Sequence, residues 1–235
     1  MAQNYQIIAN EDRLQQFIDW LPDLKPNETF YVCLLSRKKY CPELKHIKSD
    51  KGQLKRFTTT KERLIEKLKQ LEIPLGSYKQ DDSPIPTHAI ACYITVNPRC
   101  NKKALQLMLK KGLDLLIAND NRFNLHQEAI SCVQKAKSYT FVLDFDIDID
   151  KELFKELNLE DKVLEYVNKE AISWLETRGG FHLLIKPDLV SDNYKKTFYN
   201  NIVKNIPYID KVSDHNLIPI PGTYQGGFEP LLKNN

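Results

Sequence analysis

A chain of 235 residues with 42% hydrophobic and 10% aromatic content is long enough for one good-sized domain, or two small lobes, around a sizeable core. No apolar run approaches the ~18 residues of a membrane helix, and Met1-Ala2-Gln3-Asn4-Tyr5 lacks the basic-then-apolar layout of a signal peptide, so a cytoplasmic location without a membrane partner is expected. The net charge of +3 is too small to argue by itself for nucleic acid, and five cysteines without a Cys-x-x-Cys pair argue against a disulfide framework or a zinc ribbon.

In chain order, Leu14, Phe17, Ile18 and Leu21 recur at helical spacing and predict a helix over 11–21, ended by Pro22. Residues 29–35 read as a strand. Residues 60–71 read as a helix, with Leu64, Ile65, Leu68 and Leu71 inward and Thr60 as candidate cap. A loop over 76–86 leads to a strand over 88–96, a break at Asn97-Pro98-Arg99 and a helix over 102–116. From residue 138 the pattern becomes strand 139–147, helix 151–169, strand 171–177, turn Arg178-Gly179-Gly180, strand 181–186, helix 192–205 and a final extended stretch. That βαββαβ order predicts an antiparallel sheet backed by two helices, an RRM-like lobe. The expected fold is therefore α+β and two-lobed, with an N-terminal α/β lobe over 1–137 and the RRM-like lobe over 138–235, together one compact domain.

The strand over 139–147 carries the chemistry. Side chains two apart on a strand share a face, so Asp144 and Asp146 point one way while Leu143 and Phe145 point the other. Two carboxylates held together inside an otherwise apolar strand are destabilising unless a cation sits between them, and hard oxygen ligands suit Mg²⁺ or Mn²⁺. His182 follows a tight glycine turn on a hairpin strand expected beside the acidic one. Asp148 and Asp150 continue the alternation into the next helix; Asp150 reads as its N-cap and Asp148 as a reserve ligand. The basic residues cluster early, at 37–39, 45–51, 55–56, 102–103 and 110–111, which makes a phosphate track plausible beside a carboxylate site. Arg99, after Asn97-Pro98, is a candidate phosphate contact. Tyr224 and Phe228, beside Gly226-Gly227, are candidates for stacking on a base.

Asp144-x-Asp146 on a strand, Gly180-Phe181-His182 on the next hairpin and Ile209-Asp210-Lys211-Val212-Ser213 before Pro221-Gly222-Thr223 together resemble the catalytic signature of the archaeo-eukaryotic primase superfamily. The resemblance covers roughly residues 139–228. It implies that Asp144, Asp146 and Asp210 bind two divalent cations, Mg²⁺ or Mn²⁺, with Asp210 also able to help accept a 3′-hydroxyl proton. It implies that His182, with Arg178 and the backbone at Gly179 and Gly180, holds a nucleoside triphosphate. Asp214 rivals Asp210 as the third carboxylate. Where many relatives carry a basic residue before the last turn, this chain has Pro219-Ile220-Pro221. The activity implied is that of a primase or primase-polymerase, joining nucleoside triphosphates on a single-stranded DNA template in a phage, plasmid or other mobile element, alone or beside a separate replicative helicase. Carboxylates and a histidine serve a two-metal phosphodiesterase as readily, and a non-catalytic single-strand or origin-binding protein with this fold is the third reading.

Overall fold

The computed structural model describes residues 3–119, 123–213 and 217–234. Helix α1 (Glu11–Trp20) starts where the Asn10 side chain accepts a hydrogen bond from the Arg13 amide, and it buries Leu14, Phe17 and Ile18. Strand β1 (Glu28–Ser36) is covered on both faces, hence its nearly unbroken apolar sequence. Strand β2 (Gly52–Thr59), absent from the sequence expectation, pairs antiparallel with it. The helix expected over 60–71 shortens to α2 (Leu64–Lys69), preceded by Arg63, so Thr60 does not cap it. A two-rung ribbon of β3 (Lys79–Gln80) and β4 (Ser83–Pro84) leads to β5 (Ile90–Ile94) on the other side of β1. Strand β6 (Arg99–Cys100) pairs with the beginning of β1, and α3 (Asn101–Ile117) packs against α4 (Leu125–Lys135).

Strand β7 (Leu143–Ile147) begins the second sheet. The single helix expected over 151–169 is two short ones, α5 (Lys151–Glu156) and α6 (Leu159–Leu164), because Asn158 between them has φ 48° and cannot propagate a right-handed turn. Then come β8 (Ile172–Glu176), β9 (Phe181–Ile185), a second divided helix, α7 (Asp192–Lys195) and α8 (Phe198–Asn205), and β10 (Ile209–Ser213). The chain closes through β11 (Ile218–Pro219) and β12 (Leu231–Asn234).

The molecule is mixed α+β with antiparallel sheets. The first sheet runs β11-β5-β1-β2, with β6 on β1, and the second β10-β7-β9-β8-β12. One face of the second sheet, with Phe145, Trp174 and Leu183, packs on helices α5, α6 and α8 through Phe154, Leu159, Val163 and Ile202. Its other face sends Leu175 and Leu184 into the same core as Leu14, Phe17, Val32, Leu34 and Ile94, so both sheets share one apolar interior. The indole N–H of Trp20 crosses between them to Ser173 Oγ at 3.0 Å. Residues after 217 lie beyond the 137/138 boundary, yet Ile218 and Pro219 pair with β5 in the first sheet before β12 returns to the second. No helix is long and apolar enough to cross a membrane among the described residues.

Candidate active site

The register of the second sheet sets the acidic residues beside the histidine. Asp146 pairs with His182 and Asp144 with Leu184, so Asp144, Asp146 and His182 project from one face while Phe145 and Leu183 project from the other. Asp144 is 3% exposed, and its Oδ1 lies 2.8 Å from His182 Nδ1. The other imidazole nitrogen, Nε2, is 3.8 Å from Asp146 Oδ1. The histidine is thus bracketed by the two aspartates, one behind it and one in front.

Burial pushes the Asp146 carboxyl above its ordinary pKa, and Asp144, Asp210 and Asp148 add to the rise, while His182 partly offsets it. Burial pulls His182 down, but the Asp144 charge and hydrogen bond, with Asp146, more than compensate, and the imidazole ends above its ordinary value. Lys39 opposes the protonation from across the cleft. Asp146 therefore carries an under-compensated negative charge, the situation a bound cation relieves.

A β-bulge brings in the third carboxylate. Strand β10 fits Ile209 opposite Ile147 and Lys211 opposite Asp146, so Asp210 is an extra residue on its strand. Its side chain borders the same cleft as Asp146 and His182. The glycine turn places β9 close to β7. Gly180 has φ 157°, and a Cβ there would press into the Ile147 carbonyl, so only glycine lets the hairpin approach so near. Gly179 has no such crowding; a Cβ built there would meet only Lys39 Nζ, at 3.6 Å.

The cleft holds about 240 Å³. Asp146, Asp148, Thr177, Gly179, His182 and Asp210 form one wall from the second sheet, and Arg37, Lys39, Tyr93, Leu217, Pro219 and Gln225 form the other from the first. Asp144 stands one step back, behind His182. Asp148, expected only as a reserve, lies on the wall. Asp214 lies outside the described residues.

Two expected phosphate contacts are elsewhere. The Arg178 guanidinium turns away, its Nη1 donating to the Gly226 carbonyl at 2.6 Å and its plane lying 4.3 Å from the Tyr40 ring centre. It straps the glycine turn to the first sheet. Arg99 is wholly buried, pairing with Thr29 at the beginning of β1, whereas Arg37 follows the strand's end. Eight residues of extended chain separate Thr29 from Arg37, roughly 26 Å, so Arg99 does not reach the cleft. Phe228 borders a neighbouring hollow with Arg178 and Gly180. Arg37 and Lys39 were visible in the sequence only as part of a basic cluster, and nothing local to them marks the cleft they border.

Carboxylates, an imidazole and an open face suit a hard divalent cation by charge and ligand chemistry. Among the described residues, no three histidine, cysteine or acidic side chains form a ready-made cation cage. A separate hollow of about 300 Å³ lies on the helix-covered face between Lys151, Phe154, Phe181 and Lys233, where Glu176 is held by Lys151 at 2.7 Å; it contains none of the expected site residues. No family model matches the chain, and no curated protein or solved structure matches it.

Proposed function

We propose that this protein is a small primase or primase-polymerase of the archaeo-eukaryotic type, a nucleotidyltransferase that joins nucleoside triphosphates on a single-stranded DNA template and releases pyrophosphate. One observation carries the reading: Asp146, His182 and Asp210, from three separated segments and in the order of the primase signature, border a single cleft. The strand order supports it as well. The four strands of the βαββαβ stretch lie fourth, first, third, second, the arrangement of an RRM-like sheet.

Asp146 and Asp210 would hold the cations, with Asp148 at the rim; Asp144, expected as a third ligand, stands behind His182. A pair of Mg²⁺ or Mn²⁺ ions bound there would supply the Lewis acidity that stabilises charge on entering and leaving oxygens. Asp144 accepts from His182 Nδ1 and fixes the ring, so that Nε2 faces the cleft and, in the imidazolium form, would donate a hydrogen bond to a phosphate oxygen. Asp210, more exposed than Asp144 and Asp146, would accept a 3′-hydroxyl proton. The partners that follow are nucleoside triphosphates and a single-stranded template, with the protein acting alone or beside a separate replicative helicase, in replication of a phage, plasmid or other mobile element.

Incubation with a single-stranded template, Mn²⁺ and labelled nucleoside triphosphates tests this directly. Extended chains are expected, and Asp146→Asn should lower their yield by about 10²–10³-fold, the order of loss seen when one preorganised group that stabilises transition-state charge is removed. Shortened nucleic acid instead would make the protein a two-metal phosphodiesterase. Binding of the strand with no change in its length would make it a non-catalytic replication protein.

A further inference from the structure

The two walls of the cleft carry opposite charge. Asp146, Asp148 and Asp210 stand on one, and Arg37 and Lys39 on the other. Among the described residues, neither cation forms an ion pair with any carboxylate within 4.0 Å, although three carboxylates border the same space. Opposite charges at close range ordinarily collapse into pairs. Here the scaffold keeps them apart. Arg37 is held by its Nη1 donating to Tyr93 Oη at 2.9 Å, and its guanidinium lies 5.2 Å from the Tyr93 ring centre and 5.7 Å from that of Tyr40. Tyr93 is itself fixed, within 3.4 Å of both Tyr40 Oη and Gln225 Nε2. The Arg37 Nε is buried and has no hydrogen-bond partner. Lys39 has its backbone amide pinned by the Asp50 carboxylate at 2.7 Å, and its ammonium hangs over Gly179.

A gap of about 240 Å³ has room for about eight waters at ~30 Å³ each. What neutralises both walls at once is a ligand with a positive end and a negative end. A polyphosphate chelating a divalent cation has that form, with the cation toward the aspartates and the phosphate oxygens toward the guanidinium and ammonium. We propose that Lys39 and Arg37, presented by the first sheet, are the phosphate-binding half of the cleft and grip the triphosphate tail of a nucleotide. The role expected of Arg178 thereby falls to residues from the opposite lobe. This rests on the function proposed above and adds to it which residues bind the tail.

Isothermal titration of the full chain with inorganic tripolyphosphate, with a nucleoside triphosphate and with the bare nucleoside, each in Mg²⁺, reads binding independently of catalysis. The two phosphate-bearing probes should bind and the nucleoside should not. Lys39→Ala should weaken both by about tenfold or more, the worth of a charge-assisted hydrogen bond, and Lys39→Arg should restore most of the loss. Lys39 is exposed, so its removal leaves the fold intact; Arg37→Ala, checked by its melting temperature, should weaken binding similarly. Lys204→Ala, on the distant α8, should bind as the parent does.

Primer extension with the same preparations separates this inference from the broader reading. Binding that depends on Lys39 and Arg37 without extension would overturn the polymerase activity and uphold the phosphate site. Extension with unchanged triphosphate affinity in both variants would overturn the phosphate site alone, as would equal binding of the bare nucleoside.

Discussion

An imidazole between two carboxylates stabilises the folded protein only while it is charged. His182 has a folded pKa above its ordinary value, chiefly through Asp144 once burial is overcome. Its contribution is therefore fully present below its unfolded pKa of about 6.5 and is lost as pH rises through the higher folded value. The melting temperature of His182→Gln should fall furthest below that of the parent near pH 6, and the two should converge toward pH 8.5. Asp146 has the opposite consequence. A carboxyl raised by burial and like charges opposes folding once ionised, so Asp146→Asn should melt higher than the parent at pH 7 without divalent cations. Saturating Mn²⁺ should reverse that order, since ligand at a hundredfold its dissociation constant stabilises by about 2.7 kcal/mol. Thermal melts of both proteins with and without Mn²⁺ read the crossing, and parallel curves would refute it. At this scale the sequence brought out the candidate site side chains better than the directions in which they face. Asp144 and Asp146 were legible from strand alternation, but the retreat of Asp144 behind His182 depends on the diagonal between β7 and β9. Arg178 was legible as a cation beside a turn; its direction is set by Tyr40, 138 positions earlier in the chain, which no local pattern encodes.

Among the elements, the hairpin turn is the piece on which the site depends. Gly180→Ala adds a methyl group against the Ile147 carbonyl at a φ that side chains rarely adopt, and overpacking of this kind costs about 1–3 kcal/mol. Denaturant titration should show that loss, whereas Gly179→Ala, with open space on all sides but the flexible Lys39 stem, should cost much less. The alternation and periodicity that exposed β7, β8, β9 and the helices around them left four things hidden. Apolar spacing runs on through Phe154, Leu157 and Val163, so the break at Asn158 is a backbone event with no hydrophobic signature. Strand β2 borders solvent and alternates exposed with half-buried residues, which reads as loop. Helix α4 was the avoidable omission, because Asn124 three residues before Gln127 is an N-cap signal and the side chain does accept from that amide. The bulge that aims Asp210 was out of reach, since it exists only in the pairing of β10 with β7.

Over the whole molecule, the common interior couples the lobes. Leu175 and Leu184 of the second sheet lie in the same apolar cluster as Leu14 and Val32, so the lobes should melt together. Calorimetry and fluorescence of Trp20 and Trp174 should report one coincident transition; two separated transitions would mean independent lobes. Lys45, Lys51 and Lys55 are exposed on the lobe that also carries Arg37 and Lys39. Binding of a single-stranded oligonucleotide should weaken steeply with salt, by a logarithmic slope of about 0.7 for each phosphate contact. Replacing Lys51 and Lys55 together should flatten that slope if the strand runs past them.

The route taken by β10, β11 and β12, from the second sheet to the first and back, also sets a timetable. A ribosome would deliver the Asp144–His182 pair and the cationic edge well before the stitching strands emerge. A nascent polypeptide stalled after β9 would lack Asp210, Leu217, Pro219 and Gln225, and with them the seam between its halves. The cleft is thereby completed only after the chain has been translated through Gln225.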